Sequence, residues 1–546
     1  MTNKWKCLML SAALLTASVP AAAFAIPANT VSAAAPAIAV DRTSVTPGSP
    51  VAVTGTYDAS SWISLRAVDA AGNLVVFDAT RTNEQGEYRF TFDVPFDTAP
   101  GTLVLYAGSG DDVANASVQV RSYSGSNDDD DDDDDGNDSG SGASQGNVPS
   151  GTGEGSITYR ATAADNADGR AQASVVIDEQ EVRSALADNA GILKIRIEAD
   201  NAEVFQSTLQ SEAVRLLLET NHNMVVQIVT SLGTYTLPLS APEEEDFADA
   251  DLRITIGKAT ADQADAVRDW ADANGAELIS DVIDFQAEAV TGGSGAPIDF
   301  GNNYVERSIP LSGQVNPDRA AGVRFDETKR ALAFVPALFG YAAATLKSTG
   351  NSLYAVIESD KSFEDVPAGF WGEADIEQLA SKLVLNGLTE DTFGPNETLT
   401  RAQFAAMIVR GLGLQERGTA PFSDVTAGEW YAGAVGAAYE AGIVSGYEDG
   451  TFRPNERITR QELAVLIDNA VSFASGGETE NAAGAPERFR DQEAISPWAR
   501  TAVANVAEAG ISEGRNGGYF DPAANSTRAE AAAMLKRLLV HVGFID

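Results

Sequence analysis

One pattern occurs three times in the C-terminal third of this chain, and it restricts the fold more than any other feature. Each copy has a tryptophan, and the arginine of a Thr-Arg-x-Gln/Glu motif follows thirty residues later. The pairs are Trp371 and Arg401, Trp430 and Arg460, and Trp498 and Arg528. Units of about sixty residues that recur in this way cannot bury their apolar faces alone. The repeat therefore predicts three units that pack against one another.

Each copy has the pattern of two helices joined by a loop. In the middle copy, the first helix is predicted from about Trp430 to Ala441, and Gly442 then supplies a left-handed C-terminal cap. The second helix begins at Thr459, and apolar residues recur four, seven and eight positions after each threonine, on one helical face. These residues are Leu463, Leu466 and Ile467, with Phe404, Met407 and Ile408 in the first copy and Ala531, Met534 and Leu535 in the third.

The start of each second helix has the spacing of a capping box, in which a threonine and the third residue after it satisfy free backbone N–H groups. The pairs are Thr400/Gln403, Thr459/Glu462 and Thr527/Glu530. The arginine inside each box faces the positive end of the helix dipole, which is unfavourable by roughly 0.3–1 kcal/mol. Two interpretations fit its recurrence: an anionic ligand bound by exposed N–H groups and the guanidinium, or a salt bridge to nearby acidic residues.

Further motifs accompany these anchors. A Phe-x-Asp motif precedes each tryptophan, and the middle copy has the turn Gly446-Tyr447-Glu448-Asp449-Gly450-Thr451-Phe452. Together with Thr459-Arg460-Gln461-Glu462, these motifs resemble the S-layer homology domain of Gram-positive, Bacillus- or Paenibacillus-like bacteria. The three copies would cover residues 362–414, 421–475 and 488–546. The resemblance implies a mainly α, pseudo-three-fold bundle whose grooves bind a pyruvylated secondary cell-wall polysaccharide.

The resemblance also implies which residues bind this polymer. They are Asp365, Trp371 and Arg401, then Asp424, Trp430 and Arg460, then Asp491, Trp498 and Arg528. For the aspartates the alternative is a local turn or a helix cap, and for the tryptophans it is core packing. The first copy has Gly387-Leu388-Thr389-Glu390-Asp391 in place of the turn of the middle copy, and the third has Gly514-Arg515-Asn516-Gly517-Gly518-Tyr519. We therefore expect the grooves to differ in binding.

The N-terminus has the features of a secretory signal peptide, residues 1–25. Lys4 and Lys6 precede an apolar run, and Ala23-Phe24-Ala25 supplies the small residues of a cleavage site. The single cysteine, Cys7, lies before the apolar run, so cleavage would leave a chain without disulfides or thiol chemistry. The net charge of −42 argues against nucleic-acid binding, and no later apolar run approaches the length that spans a membrane.

Residues 37–121 alternate apolar and polar residues in short runs that are separated by turn signals. About seven strands in this length predict an antiparallel, all-β sandwich, which resembles the immunoglobulin-like modules of bacterial surface proteins. The runs are Pro50–Thr54, Ile63–Val68, Leu74–Phe77, Tyr88–Phe92, Thr102–Tyr106 and Ala116–Val120.

An acidic linker of Asp, Gly and Ser is predicted at residues 122–155, where eight consecutive aspartates run from Asp128 to Asp135. Like charges repel, and nothing apolar is available to bury. An EF-hand is disfavoured because position twelve of the loop would be Gly142 instead of glutamate. We expect no cofactor and no discrete metal site, with diffuse Ca²⁺ binding at this linker.

Residues 156–358 mix both periodicities and predict an α+β stalk domain. The predicted helices are Glu179–Ala187, Ser211–Thr220 with Ser211 as cap, and Ala261–Ala273 closed by Gly275. The predicted strands are Ala173–Ile177, Ile192–Ile197, Val225–Thr230, Tyr235–Leu239, Leu252–Ile256, Glu277–Phe285, Tyr304–Leu311 and Leu353–Ile357. This region resembles those that often precede S-layer homology repeats, a resemblance that implies no chemistry.

The sequence offers no catalytic constellation. The chain has two histidines, His222 and His541, which are too few for a His-based metal site or triad. The carboxylates are numerous, and no pair stands out as a glycosidase dyad.

We therefore predict a multi-domain, non-enzymatic protein of the cell wall or S-layer, with no catalytic residues. Its partners would be the wall polysaccharide, itself or other S-layer subunits, but neither nucleic acid nor a membrane. The alternative is an anchored adhesin whose sandwich binds an external protein or glycan. A third hypothesis, a wall hydrolase, lacks an evident domain to house it.

Overall fold

The computed structural model describes residues 37–40, 42–45, 50–57, 61–68, 74–83, 85–94, 101–109, 112–120, 155–186, 191–221, 223–242, 249–313, 315–340, 342–476, 489–515 and 517–546. The chain divides into two compact units, residues 1–137 and 138–546. The described residues do not include the predicted signal peptide, His222 or the acidic linker up to residue 154. The diffuse calcium binding that we expect at this linker therefore stays a prediction.

The N-terminal unit is a β region, as predicted. Its described strands are β1 (Ala37–Val40), β2 (Ser44–Val45), β3 (Pro50–Thr56), β4 (Trp62–Val68), β5 (Leu74–Arg81), β6 (Glu87–Asp93), β7 (Gly101–Ser109) and β8 (Asp112–Val120). They form one sheet in the order β1-β3-β6 and a second in the order β2-β8-β7-β4-β5. The pairs are antiparallel except for β2 with β8. Alternate residues of both sheets, such as Val53, Phe90, Leu65 and Leu105, enter one shared core.

The second unit begins with a β-rich central region. Its first half contains β9 (Ser156–Arg160), β10 (Ala164–Asp165), β11 (Ala171–Ile177), α1 (Glu179–Ala185), β12 (Ile192–Glu198), β13 (Val204–Leu209), α2 (Ser211–Thr220), β14 (Val225–Thr230) and β15 (Gly233–Pro238). Its second half contains β16 (Asp251–Lys258), α3 (Ala261–Ala273), β17 (Ala276–Leu278), β18 (Ile283–Thr291), β19 (Ser294–Pro297), β20 (Val305–Pro310), β21 (Ala320–Asp326), β22 (Ala331–Val335), β23 (Ala337–Phe339), β24 (Ala343–Ser348) and β25 (Ser352–Ser359).

Two large sheets organise this region. One has the order β23-β24-β20-β15-β14-β12-β9. The other has the order β10-β11-β13-β16-β18-β25-β21-β22, with β17 paired to β25 and β19 paired to β18. Side chains from both sheets, among them Ile195, Tyr235, Ile254 and Phe285, share one core with α1 and α2. Strand β16 largely alternates buried and accessible residues because one of its faces meets this core.

Two details of the predicted elements are wrong. The predicted strand Glu277–Phe285 is interrupted, and its two parts belong to β17 and β18. Ser211 is not the cap of α2 but its first residue, while Gln210 holds the cap position without a side-chain hydrogen bond. The N–H of Ser211 instead donates to the Asp251 carboxylate at 2.9 Å, so a neighbouring strand satisfies the helix start.

The C-terminal repeats are helical. Their α-helices are α4 (Glu373–Ser381) and α5 (Arg401–Gly411), α6 (Ala432–Glu440) and α7 (Arg460–Ala474), and α8 (Arg500–Glu508) and α9 (Arg528–His541). The second helices α5, α7 and α9 contact one another. Each first helix packs on the second helix of another repeat, in the pairs α5 with α6, α7 with α8, and α9 with α4. The three repeats therefore contact one another in a cycle, in which the third repeat contacts the first.

The central region and the repeats are continuous in the second unit. Val323 and Phe334 of the central sheet belong to the same buried cluster as Phe404, Leu412 and Leu535 of the repeats. The first repeat is thus packed against a sheet of the central region, and this contact positions one of the sites described below.

Candidate functional site: the grooves between the repeats

The predicted capping boxes are confirmed at all three second helices. The threonine side chain accepts a hydrogen bond from the backbone N–H three residues later. The Gln or Glu side chain at that position accepts a hydrogen bond from the threonine N–H. The residues are Thr400 with Gln403, Thr459 with Glu462, and Thr527 with Glu530.

The first N–H group of each of these helices is occupied by a carbonyl of another repeat. Arg401 N donates to Glu456 O at 3.0 Å, and Arg460 N donates to Ala524 O at 2.9 Å. Arg528 N of the third repeat donates to Glu397 O of the first repeat at 2.9 Å, so these bonds link all three repeats in a cycle. The expectation that exposed N–H groups at the helix starts bind an anion is therefore wrong, because neighbouring backbone already satisfies them.

The three arginine side chains are buried, with exposures of 6% for Arg401, 4% for Arg460 and 6% for Arg528. Each Nε donates to the carbonyl of the Phe that starts the Phe-x-Pro turn of another repeat. The bonds are Arg401 to Phe452 at 2.9 Å, Arg460 to Phe520 at 2.7 Å and Arg528 to Phe393 at 2.7 Å. Burial lowers the pKa of Arg460 and Arg528 from the ordinary arginine value.

The predicted salt bridge is confirmed for two of the arginines. Arg401 Nη1 lies 3.2 Å from Glu462, and Arg460 Nη1 lies 3.2 Å from Glu530. Gln403 occupies the corresponding position in the first repeat, and Arg528 Nη2 donates to the Asn386 carbonyl at 2.8 Å. The guanidinium of Arg528 is therefore held by neutral oxygens instead of by a carboxylate.

The predicted aspartates hold the turns together. Each carboxylate accepts two consecutive backbone N–H groups of its own repeat, at 2.7 or 2.8 Å. Asp365 binds Phe393 and Gly394, Asp424 binds Phe452 and Arg453, and Asp491 binds Phe520 and Asp521. Among the described residues, the two groove linings given below do not include these aspartates. The turn alternative therefore explains these hydrogen bonds, and a role of the aspartates in polymer binding stays a prediction.

The predicted tryptophans are exposed. Trp371, Trp430 and Trp498 have exposures of 61%, 60% and 59%. The core-packing alternative is thus wrong for all three, since a large aromatic ring that is mostly in water is available to a ligand.

Two grooves combine residues of all three repeats. The first groove, of about 380 Å³, is lined by Asn386, Gln403 and Arg410 of the first repeat, Trp430 of the second and Arg528 of the third. The second groove, of about 590 Å³, is lined by Tyr447, Arg453 and Glu462 of the second repeat, Trp498 of the third and Arg401 of the first. The structure therefore separates the predicted Trp and Arg of one repeat into different grooves.

Several lining residues were not predicted from the sequence. Tyr447 donates its hydroxyl to Glu462 at 2.7 Å, and the Arg453 guanidinium lies 4.0 Å from the Tyr447 ring centroid. Burial, followed by the hydrogen bond to Glu462, raises the pKa of Tyr447 to about 12. The Gly-Tyr turn of the middle copy was a visible signal for Tyr447, whereas no repeated motif marks Arg410 or Asn386.

The family of the repeats follows from this geometry and from sequence comparison. The family model of the S-layer homology domain matches residues 362–405, 421–464 and 488–532. The C-terminal region consists of three S-layer homology domains. Such domains anchor proteins to the cell-wall surface and bind secondary cell-wall polymers in general, so the predicted localisation at the cell wall is confirmed. In the part of the chain that the structure describes, no helix is long and apolar enough to cross a membrane.

Curated relatives share only a small part of their length with this chain. An amylopullulanase of Thermoanaerobacterium thermosulfurigenes is 38% identical over 245 residues, which are 44% of this chain and 13% of that protein. The exoglucanase XynX of Acetivibrio thermocellus is 40% identical over 37% of this chain and 18% of its own length. The S-layer protein sap of Bacillus anthracis is 31% identical over 33% of this chain and 22% of its own length.

These relatives overturn the expectation of a non-enzymatic surface protein or adhesin. Four similar proteins, at 37–42% identity, are named amylopullulanase, exoglucanase, endoglucanase and endo-1,4-beta-xylanase, which are enzyme names. The expectation rested on the lack of a marked catalytic pair among many carboxylates, which does not exclude an enzyme.

Proposed function

We propose that the three repeats hold a carbohydrate-degrading protein on the cell wall by binding a pyruvylated secondary cell-wall polymer in the grooves between them. The repeats would form a pseudo-three-fold bundle, because their arginine and backbone contacts run from the first repeat to the second, to the third and back to the first. The N-terminal sheets would belong to an immunoglobulin-like module displayed by this anchor.

The observation that carries the proposal is the charge of the first groove. Arg528 and Arg410 both line it, and Gln403 stands where the other two repeats have glutamate. A carboxylate of the polymer, such as a pyruvate ketal, would therefore meet cations that no capping-box glutamate neutralises. In the second groove, Glu462 already pairs with Arg401. A charge-assisted hydrogen bond contributes about 1.5–3 kcal/mol, so we expect the first groove to bind the acidic sugar most tightly.

The exposed tryptophan supports the same proposal. Trp430 presents its ring at the edge of the first groove, and an aromatic ring offers an apolar surface beside polar groups. A sugar ring has apolar C–H faces and polar edges, so it could pack on Trp430 while its acidic substituent reaches the two arginines.

The test changes the charge of the groove without disturbing the helix start. Gln403→Glu keeps the capping box, because the Gln403 Oε1 that accepts from Thr400 N at 2.8 Å is replaced by a carboxylate oxygen. The new carboxylate would neutralise Arg528, as Glu462 and Glu530 do for the other arginines. We expect affinity for purified wall polymer to fall roughly tenfold in calorimetric titration.

Gln461→Glu is the matched control, since it adds the same charge in the first turn of α7. Gln461 accepts from Ser496 N at 3.0 Å and lies outside both groove linings of the described residues. Equal binding by wild type, Gln403→Glu and Trp430→Ala would contradict the proposal.

The proposed link to polysaccharide degradation rests on the relatives. The amylopullulanase alignment covers 44% of the 546-residue chain, which exceeds the part C-terminal of residue 361 and so includes upstream residues. The full-length secreted chain would be incubated with pullulan, glucan and xylan, and new reducing ends would be measured. Release from one of them is expected. No release from any substrate would contradict the proposed link to polysaccharide degradation.

A further inference from the structure

A large cleft of the second unit lies between the central region and the first repeat. We call it the basic cleft and define it by Trp270, Arg324, Lys329, Lys361 and Arg410, which lie along its lining. Its volume is about 880 Å³, within the range of roughly 300–1,000 Å³ that small-ligand sites occupy. Neither the predicted site residues nor the family match assigns a role to it.

The charge of the basic cleft differs from that of the chain. The whole chain carries a net charge of −42, whereas the lining has four cations against the four acids Asp326, Asp360, Glu390 and Glu416. The charges of the lining therefore balance, and two of these acids also have partners outside the set of cations. Asp326 accepts the backbone N–H groups of Thr328 and Lys329, and Asp360 pairs with Arg319 at 3.0 Å.

Glu416 is shared among the cations of the cleft. It lies 3.2 Å from Lys329 Nζ and 3.9 Å from Arg410 Nε. Arg324 Nε is buried and has no hydrogen-bond partner among the described residues. Both guanidinium groups are partly buried, and this burial lowers the pKa of Arg324 and of Arg410. An anionic group entering the cleft would therefore supply acceptors that the protein itself does not provide.

The basic cleft adjoins the first groove. Leu385, Asn386, Gly387 and Arg410 line both cavities. Arg410 and the turn at Asn386 thus belong to the walls of two neighbouring cavities, and each cavity contains further cations.

We propose that the basic cleft binds a further acidic sugar of the same wall polysaccharide, so that the central region takes part in anchoring. The inference rests on the proposed function of the repeats. In it, Lys329, Lys361 and Arg324 bind an anionic substituent of the sugar, and the half-buried Trp270 packs against a sugar ring. The site then recognises a longer stretch of polymer than the grooves of the repeats alone.

The test compares polysaccharide fragments of two lengths. The probe is purified secondary cell-wall polysaccharide, separated by size into short and long fragments and titrated into the full-length secreted chain. The variant Lys329→Gln with Lys361→Gln changes one exposed and one half-buried side chain, so folding is expected to persist. We expect its affinity for long fragments to fall roughly tenfold and its affinity for short fragments to match that of wild type.

The matched control is Lys258→Gln with Lys347→Gln. These lysines pair with single carboxylates, Asp281 at 2.8 Å and Glu306 at 3.7 Å, as Lys329 does with Glu416, and neither lines the basic cleft as described. An equal loss in this control, or a loss in the test variant that does not depend on fragment length, would overturn the inference. If Trp430→Ala abolishes binding but the test variant binds long fragments like wild type, the inference alone fails. If wild type binds neither fragment, the proposed function fails with it.

Discussion

At the scale of single residues, the second-helix motif shows which contacts a local sequence pattern can predict and which it cannot. Thr459 and Glu462 form a capping box that depends on three residues of spacing, so the sequence was sufficient to predict it. Arg460 lies in the same motif, but its partners are Phe520 and Glu530 of another repeat. The helix-dipole argument considered only the arginine's own helix, so it could not predict burial that depends on a repeat distant in sequence.

The burial of Arg460 makes its removal costly. The dipole argument implies a small effect of removal, but Arg460→Ala leaves the Phe520 carbonyl without its donor and removes one partner of Glu530. We expect the free energy of unfolding of the second unit to fall by about 3 kcal/mol. Denaturant titration of the secreted chain measures this change.

Arg500→Ala is the control for that measurement. Arg500 also begins an α-helix of the repeats, but it is exposed, and its Nε–Ile495 carbonyl distance is 3.3 Å. Its removal is expected to change stability by about 0.5 kcal/mol or less. Similar losses in both variants would contradict the burial argument.

A buried lysine predicts how stability depends on pH. Lys382 is fully buried at the end of α4 and donates to the Ala320 carbonyl at 2.6 Å. Burial lowers the pKa of Lys382 from 10.5 to about 8. Between these values the unfolded chain binds more protons than the folded chain, so stability rises with pH through this window.

We expect this lysine to contribute a gain of about 2 kcal/mol as the pH rises from 8 to 10. Lys382→Met should lack that gain, because it has no titrating group. Unfolding free energies of both proteins, measured at pH 7, 8, 9 and 10, give the two slopes. If the unfolding free energies of wild type and Lys382→Met rise equally with pH, Lys382 is not the cause of the rise.

At the scale of elements, periodicity predicted the helices better than the strands. The predicted helix Ala261–Ala273 and the hairpin of β14 and β15 are confirmed, because capping residues and turns mark their ends. The strands β21 and β22 were not predicted. Ala320–Val323 of β21 is buried at every position, so it has no alternation that a period of two could reveal.

The capping box also carries an element-scale prediction. Thr459→Ala removes the side-chain acceptor for Glu462 N, and we expect α7 to lose about 1 kcal/mol of stability. Thr459→Ser retains the hydroxyl and should remain within a few tenths of a kcal/mol of wild type. Thermal melts of both variants test this. A Ser variant as unstable as the Ala variant would attribute the effect to the lost methyl group instead of the cap.

At the scale of the whole molecule, the second unit does not separate into a stalk and an anchor in its contacts. Tyr304, just before β20, donates its hydroxyl to the Leu412 carbonyl of the first repeat at 2.7 Å. Its ring lies 5.0 Å from Phe544 and 5.9 Å from Phe473. Composition and periodicity could not predict this joint, because one tyrosine in the central region contacts residues of three repeats.

This joint predicts that the central region and the repeats unfold together. Tyr304→Phe loses one hydrogen bond, about 1 kcal/mol, and should still show one calorimetric transition for the second unit. Tyr304→Ala also loses the aromatic contacts, about 3–5 kcal/mol in total, and should separate that transition into two as the coupling weakens. Tyr519→Ala is the control, because Tyr519 is an exposed tyrosine of the third repeat. Two transitions already present in the wild-type unit would contradict the shared core, since its two parts would then melt independently.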